Sequence, residues 1–273
     1  MTTLSNTLKT KAPNVANIVK PLKPQHAIWH FLLAGLALRL AVYQGLPLLQ
    51  RLGLAPYEAY AIAFIVPTAV LFALAFGFAQ AEGVPMTWAG LAARFRLRKL
   101  TWPDIGWGLG GLLAIFILGA AMRPVTGWMM TTFSFLQPPA HFPPLLNPML
   151  QNEALPGALA AWAGPQAAGN WGYVLLAVLL FFFNNAGEEL YWRGLIFPRQ
   201  EKVHGRTTWL IHGLMWNLFH VPVYPWYAVS GLGLTLIIAF VAQKTQNSTA
   251  ALLLHALANI FMTFLIIPVA ILA

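Results

Sequence analysis

The chain has 273 residues, of which 59% are hydrophobic and only 8% are charged, against roughly 45–50% and 25% in an ordinary soluble domain. So few charged side chains cannot cover the surface of a soluble protein of this size, and the composition therefore excludes a soluble globular enzyme. The sequence contains no cysteine, which excludes disulfides, thiolate metal sites and a cysteine nucleophile. Long apolar runs, rather than alternating segments of about ten residues, argue against a membrane β-barrel.

Seven stretches are predicted as membrane-spanning helices, since about 20 residues of helix cross a bilayer core of about 30 Å. Pro222 and Pro225 separate the fifth stretch from the sixth, and both are short, so a re-entrant or tilted arrangement is an alternative there. The predicted fold class is all-α: a polytopic membrane helix bundle of about seven transmembrane helices, with a core formed by the last four. The predicted spans are 27–50, 58–80, 105–122, 171–197, 207–222, 227–243 and 248–271.

The chain divides into four predicted segments. Residues 1–25 are polar and contain three prolines, which is typical of a flexible cytoplasmic arm rather than a signal peptide. Residues 26–123 hold the N-terminal transmembrane helices. Residues 124–170 contain eight of the 20 prolines and are predicted as an irregular external loop. Residues 171–273 are predicted to form the transmembrane core.

The formal net charge of +9 follows a pattern that orients the spans. The asymmetric distribution of lysine and arginine places the N-terminus and the basic connections in the cytoplasm. Membrane lipid is therefore a predicted partner, and nucleic acid is not. An amphipathic stretch over 82–104 is expected to turn its basic side chains toward lipid phosphates. Twelve of the 16 basic residues share the predicted cytoplasmic side: Lys9, Lys11, Lys20, Lys23, Arg94, Arg96, Arg98, Lys99, Arg199, Lys202, Arg206 and Lys244.

Charged side chains within a membrane span are costly and usually functional, and the strongest cluster here is Glu188-Glu189-Leu-Tyr-Trp-Arg193. Glu189 and Arg193 have the spacing at which a glutamate pairs with a following arginine on a helix. Glu188 points about 100° away and has no partner on its own helix, so burial would suit it to act as a general base. The alternative is a helix end at the membrane edge, where all three charges are solvated.

Two further polar insertions lie at a similar predicted depth. At about 1.5 Å per residue, Glu188 and His220 lie about 15 and 18 Å from the predicted cytoplasmic ends of their helices. His255 and Asn259 share one face of the last span, about 10 and 16 Å from its start. A single buried histidine is most often a structural hydrogen-bond partner. Polar residues on three predicted spans at matching depth instead predict one polar site in the inner half of the membrane.

Three neighbouring residues have predicted contacts. Trp216 lies one helical turn before His220 and is expected to pack against the imidazole. Asn184 lies one turn before Glu188, where it either donates a hydrogen bond to the carboxylate or lines a polar cavity. Arg39, near the middle of the first span, either pairs with a buried carboxylate or marks a shifted helix.

These motifs resemble those of the CAAX prenyl protease and bacteriocin-processing (CPBP) family of intramembrane proteases. The family pattern is Glu-Glu-x-x-x-Arg, then Phe-x-x-x-His, then His-x-x-x-Asn, on three helices in that order. In this chain it reads Glu188–Arg193, Trp216–His220 and His255–Asn259, with tryptophan in place of the usual phenylalanine. The resemblance covers about residues 171–271, and the three motifs together are fairly specific although each alone is weak.

The resemblance implies an intramembrane endopeptidase that acts on a peptide or membrane-protein substrate, with lipidation of the substrate left open. Glu188 would activate the hydrolytic water, and His220 would help to hold it. His255 and Asn259 would stabilise the oxyanion of the tetrahedral intermediate. These residue types suit the reaction, because peptide hydrolysis needs a base for water and donors for developing negative charge.

By the same resemblance, Glu189 and Arg193 would be structural or orienting, and no cofactor is favoured. The residues also permit a zinc site formed by Glu188, His220 and His255 with water as the fourth ligand. The metal-free mechanism is preferred, since the sequence has no His-Glu-x-x-His helix.

Two other functions stay open. A non-catalytic immunity or scaffold membrane protein could use the same fold to bind peptides or partner proteins. A small transporter or proton relay would also need intramembrane ionisable groups, but the chain shows no internal repeat of the kind common in transporters. The expected location is a membrane, by resemblance a bacterial inner membrane. The sequence predicts no oligomeric state.

Overall fold

A computed structural model of the protein describes residues 18–139, 142–150 and 152–268. This part is helical and contains no β-strand, which confirms the predicted all-α class. The helices of the N-terminal half are α1 (Pro24–Leu40), α2 (Leu46–Arg51), α3 (Pro56–Ala81), α4 (Trp88–Arg94) and α5 (Trp102–Thr132). A π-helical segment, Ala41–Gly45, joins α1 to α2.

The C-terminal half contains the three helical regions that carry the sequence motifs. Two π-helical segments, Phe183–Gly187 and Leu190–Ile196, join α7 to α8. The helices are α6 (Leu155–Ala163), α7 (Trp171–Phe182), α8 (Phe197–His204), α9 (Thr208–His220), α10 (Tyr227–Ser230), α11 (Leu232–Thr245) and α12 (Ser248–Phe264).

Among the described residues, five helical runs are long and apolar enough to cross a membrane, which identifies an integral membrane protein. One run, Trp171–His220, has 50 residues and would be about 75 Å long if straight, more than twice the bilayer core. It folds back at Gly205, where φ is +56°, so that Gln200 of α8 and His212 of α9 are hydrogen-bonded at 2.6 Å. The predicted number of seven crossings stays a prediction. The runs are Pro24–Arg51, Pro56–Ala81, Trp102–Thr132, Trp171–His220 and Tyr227–Thr245, with Ser248–Ile260 as a shorter apolar helix.

The basic connections gather at one end of the bundle. The Arg96 guanidinium forms an ion pair with Glu201 at 2.6 Å, and the Ser248 N–H donates to the Arg96 carbonyl at 3.0 Å. The Leu22 N–H donates to the carbonyl of Arg199 at 3.0 Å. These contacts agree with the predicted topology, in which the N-terminal segment and these connections share one side of the membrane.

The flexible arm predicted over residues 1–25 is too long. Val19 and Leu22 are buried, and the N–H of Leu22 donates to the Arg199 carbonyl in α8. The side chains of Val19 and Leu22 are apolar and are buried in the folded protein. The prediction misses them because it is based on the polar composition of the whole N-terminal segment. The remainder of the predicted arm, 1–17, lies outside the described residues.

The stretch over 82–104 does not turn all of its basic side chains toward lipid. Arg94 is buried, where it pairs with Glu82 and donates to the carbonyls of Gly194 and Leu195. Arg96 pairs with a carboxylate, as described above. The prediction of lipid contact is therefore wrong for these two arginines, because the connection packs against the helix that follows the Glu188 motif.

The predicted loop over 124–170 is wrong at its start and near its end. Helix α5 continues through Pro124 to Thr132, since membrane helices tolerate the loss of the backbone hydrogen bond that a proline removes. Helix α6 then forms near the end of the segment. Its Trp162 ring meets Tyr57 edge-on with ring centroids 5.0 Å apart, and Tyr173 donates to the Ala163 carbonyl at 2.8 Å. The part between α5 and α6 contains short 3₁₀ turns and is irregular as predicted.

One glycine brings the motif helix into direct contact with α3. A Cβ atom at Gly187 would lie 2.3 Å from the carbonyl oxygen of Thr68, far inside van der Waals contact. The absence of a side chain therefore lets the π-helical segment before Glu188 pack backbone to backbone against α3. This close approach fixes the position at which Glu188 enters the bundle.

Candidate active site

The two adjacent glutamates lie between π-helical segments. Residues Phe183–Gly187 and Leu190–Ile196 adopt the wider π geometry on either side of Glu188 and Glu189. Such segments are rare and frequently occur at functional sites. The sequence interpretation assumed an α-helical period throughout, and nothing in the residue pattern distinguishes the π geometry from it.

Glu188 is buried, with 3% of its surface exposed. Its Oε2 accepts a hydrogen bond from Trp216 Nε1 at 2.8 Å and lies 3.9 Å from His220 Nε2. Within the described part of the chain, no group donates a hydrogen bond to Oε1. The alternative of a solvated helix end is wrong, because Glu189 and Arg193 are each only 1% exposed.

Glu189 joins two cationic or ionisable partners through one oxygen. Its Oε1 lies 3.1 Å from Arg193 NH1 and 2.9 Å from His255 Nδ1. The predicted pair of Glu189 and Arg193 therefore forms, although the segment is π-helical. The guanidinium also lies over the Trp216 ring, with its central carbon 3.5 Å from the ring centroid, a favourable cation–π geometry.

His220 is held by the helix turn that precedes it. Its Nδ1 lies 2.9 Å from the carbonyl oxygen of Trp216, so Nδ1 carries the proton and Nε2 is the ring nitrogen that faces Glu188. The Trp216 and His220 rings meet edge-on with centroids 5.2 Å apart, which confirms the predicted packing. Tyr227 lies on another side of the imidazole, at 5.1 Å between centroids.

Asn259 is oriented by a residue that sequence reasoning missed. The side-chain nitrogen of Asn259 donates to Asn185 Oδ1 at 3.2 Å, and Asn185 in turn donates to the Phe181 carbonyl at 2.7 Å. Only the position of Asn185 beside the Glu188 motif could have drawn attention to it. Asn184 lines the cavity described below, as one of its two predicted alternatives requires, and no hydrogen bond joins it to Glu188 within the described residues.

The motif residues from three helical regions meet at one cavity of about 310 Å³. Glu188, His220, His255 and Asn259 all line it, so the predicted meeting of groups from three helices at one site is confirmed, while their depth in the membrane stays a prediction. The remaining wall is largely aromatic and apolar, and includes Tyr60, Phe64, Trp162, Tyr224, Trp226 and Tyr227.

Arg39 has a different partner from the predicted carboxylate. Its guanidinium donates to the carbonyl of Pro222 at 2.5 Å and lies over the Tyr43 ring, 4.1 Å from the centroid. The carbonyl belongs to the turn that follows α9, where exposed helix carbonyls attract a cation. Of the two predicted alternatives for Arg39, pairing with a buried carboxylate is therefore wrong, and its guanidinium instead connects α1 to the turn after the helix that carries His220.

The zinc alternative finds no support in the side-chain geometry. Among residues 18–139, 142–150 and 152–268, no group of three or more histidine, aspartate or glutamate side chains is placed to hold a metal ion. Zinc binding by Glu188, His220 and His255 stays an untested alternative.

Comparison with known proteins agrees with the motifs. Residues 170–261, about a third of the chain, match the family model described as type II CAAX prenyl endopeptidase Rce1-like. The matched region contains all three motifs, including Glu188, His220, His255 and Asn259 of the cavity described above. No curated protein and no solved structure matches the chain.

Proposed function

We propose that the protein is an intramembrane endopeptidase with a glutamate-activated water, a function supported by the match of residues 170–261 to the family model of type II CAAX prenyl endopeptidases. The observation that carries this proposal is the meeting of Glu188, His220, His255 and Asn259 at one buried cavity. A base, a second ligand for water and two donors for an oxyanion are the groups that peptide hydrolysis requires.

Glu188 and His220 are placed to hold the attacking water between them. The 3.9 Å between Glu188 Oε2 and His220 Nε2 is too long for a direct hydrogen bond, but one water molecule can contact both atoms. The carboxylate takes a proton from this water, and the oxygen attacks the carbonyl carbon of the substrate. The proton then passes to the leaving nitrogen as the peptide bond breaks, so that OH joins the acyl group and H joins the amine.

His255 and Asn259 are placed to stabilise the negative charge on the carbonyl oxygen. One N–H of the Asn259 amide is engaged by Asn185, which leaves the second N–H for the oxyanion. His255 turns Nδ1 toward Glu189, which leaves Nε2 for the substrate. The Glu189 carboxylate stabilises the positive charge that the imidazole carries when both ring nitrogens are protonated.

Glu189 and Arg193 orient these groups. A buried charge is tolerated when it is paired, and Glu189 lies within ion-pair distance of both the Arg193 guanidinium and the His255 imidazole. The carboxylate thereby connects the motif helix to α12. Loss of Glu189 would leave Arg193 buried without its ion-pair partner.

The proposed substrate is a membrane-associated polypeptide, and the family description suggests one with a prenylated C-terminal CAAX sequence. A site in the inner half of the bilayer suits a substrate that is anchored at the cytoplasmic surface or enters from lipid. By resemblance we place the protein in a bacterial inner membrane with its N-terminus in the cytoplasm.

The proposal is tested by comparing membrane peptides, with quantitative mass spectrometry, in cells that carry wild-type protein, Glu188→Ala or Glu153→Ala. The exposed Glu153 is a matched control outside the cavity. We expect cleavage products in the wild type and control that are absent from the Glu188 variant. Purified wild-type protein, but not Glu188→Ala, should also cleave a farnesylated peptide that ends in a CAAX sequence.

Full cleavage by Glu188→Ala would overturn the mechanism. A non-catalytic immunity or scaffold protein would produce the same peptides in all three strains. Ion or solute flux in proteoliposomes that depends on Glu188, without peptide cleavage, would instead favour a transporter or proton relay.

A further inference from the structure

Trp216 contacts four residues of the proposed site at once. Its indole N–H lies 2.8 Å from Glu188 Oε2, and its ring face lies under the Arg193 guanidinium, 3.5 Å from centroid to central carbon. The ring also meets His220 and His255, with centroid separations of 5.2 and 5.3 Å. Trp216 is fully buried, so these contacts are made without competition from solvent.

The hydrogen bond to Glu188 differs from the other contacts because it selects one oxygen. A carboxylate can exchange its two oxygens by rotation about the terminal bond, and the ring contacts of Trp216 do not depend on which oxygen faces them. The hydrogen bond from the indole N–H does depend on the oxygen, because it is made to Oε2. Within the described residues, no group donates a hydrogen bond to Oε1. A donor to a charged acceptor in a buried setting also forms one of the stronger hydrogen bonds in proteins.

We propose that Trp216 is a positioning residue for the base: its indole N–H holds Oε2 of Glu188, so that the carboxylate is fixed in the orientation that faces His220 and the water between them. This inference rests on the proposed function, since it assigns Glu188 as the base. Phenylalanine, which is usual at this position in the family pattern, would keep an aromatic ring beside His220 and Arg193 but has no N–H to donate. The tryptophan of this chain therefore adds a contact to the base itself.

Trp192 offers a matched control. It is also fully buried, it stacks on Phe31 with centroids 4.3 Å apart, and its Nε1 has no hydrogen-bond partner among the described residues. A tryptophan-to-phenylalanine change therefore removes the same atoms at positions 192 and 216. Only the change at 216 removes a hydrogen bond to Glu188.

The test measures kcat and KM of the full-length protein in detergent micelles, with the farnesylated CAAX peptide as the probe. We expect Trp216→Phe to lower kcat at least about tenfold, as expected for a lost hydrogen bond to a charged group, with KM within about twofold of wild type. Trp192→Phe should leave both constants within about twofold. Replacement of Trp216 by benzothienylalanine, which substitutes sulfur for the indole N–H and keeps the ring shape, should reproduce the loss in kcat.

Wild-type kcat in the benzothienylalanine variant would overturn the inference, and so would a rise in KM with kcat unchanged. The unnatural residue also decides the question if Trp216→Phe does not fold, because it preserves the packing of the ring. Failure of the proposed function has a different signature, namely that Glu188→Ala cleaves the probe at the wild-type rate.

Discussion

Arg94 provides a test of how the connection between α3 and α5 supports the candidate site. Its side chain is fully buried and donates to both carboxylate oxygens of Glu82, at 2.5 and 3.0 Å. The same guanidinium donates to the carbonyls of Gly194 and Leu195, at 2.7 and 3.2 Å, where the π-helical segment ends and the hydrogen-bond register of the helix changes. One side chain therefore serves four acceptors, two of them on the helix of the Glu188 motif.

Arg94→Met removes all four hydrogen bonds while it keeps most of the apolar stem. Loss of one partner of a buried, hydrogen-bonded charge pair destabilises by about 3–5 kcal/mol. The Glu82 side chain is 15% exposed and regains part of its hydration, so we expect a loss near the lower limit, about 3 kcal/mol. Arg94→Lys should lose less, because it keeps the charge but a single ammonium cannot reproduce the planar fork of the guanidinium.

The free energy of unfolding is measured for the purified protein by titration with SDS in mixed micelles, followed by tryptophan fluorescence. Arg206→Met is the matched control, since Arg206 is exposed at the same end of the bundle and should change stability by less than about 0.5 kcal/mol. Equal stabilities of Arg94→Met and Arg206→Met would refute the reasoning that this buried network holds the motif helix in place.

Two further predictions concern packing and topology. Gly187→Ala should lower the free energy of unfolding by about 1–3 kcal/mol, because the new methyl group would lie 2.3 Å from the Thr68 carbonyl oxygen. Gly77 has open space at its Cβ position, so Gly77→Ala is the control and should cause no loss. An equal response of the two variants would contradict the close approach of Gly187 to Thr68. In this cysteine-free chain, an impermeant maleimide should label Glu153→Cys in intact spheroplasts and Lys99→Cys only after permeabilisation, and the reverse pattern would contradict the predicted orientation.

The parts of the site that could be predicted are those set by spacing along one helix. Glu189 pairs with Arg193, and Trp216 packs on His220, because residues four apart share a helix face. The convergence of three helices could also be predicted, since polar groups in apolar spans must find one another or water.

The parts that could not be predicted depend on contacts between distant segments. The hydrogen bond from Trp216 to Glu188 joins residues 28 positions apart, and the bond from Arg39 to Pro222 joins residues 183 apart. A lone charge in a span indicates that some partner exists, but both carboxylates and backbone carbonyls satisfy a guanidinium. The prediction of lipid contact for Arg94 is wrong for the same reason, because a basic connection beside a membrane is as consistent with lipid contact as with burial.

The environments of the two adjacent glutamates explain how one site can hold both without making them equivalent. Glu189 faces cationic or ionisable partners on both sides, Arg193 and His255, and its charge is therefore compensated within the protein. Glu188 has the neutral indole of Trp216 as its hydrogen-bond donor, and it borders the cavity where a substrate and water would enter. Two neighbouring carboxylates in unlike environments take unlike roles. The compensated carboxylate suits a structural role, and the one that is not paired with a cation suits the chemistry.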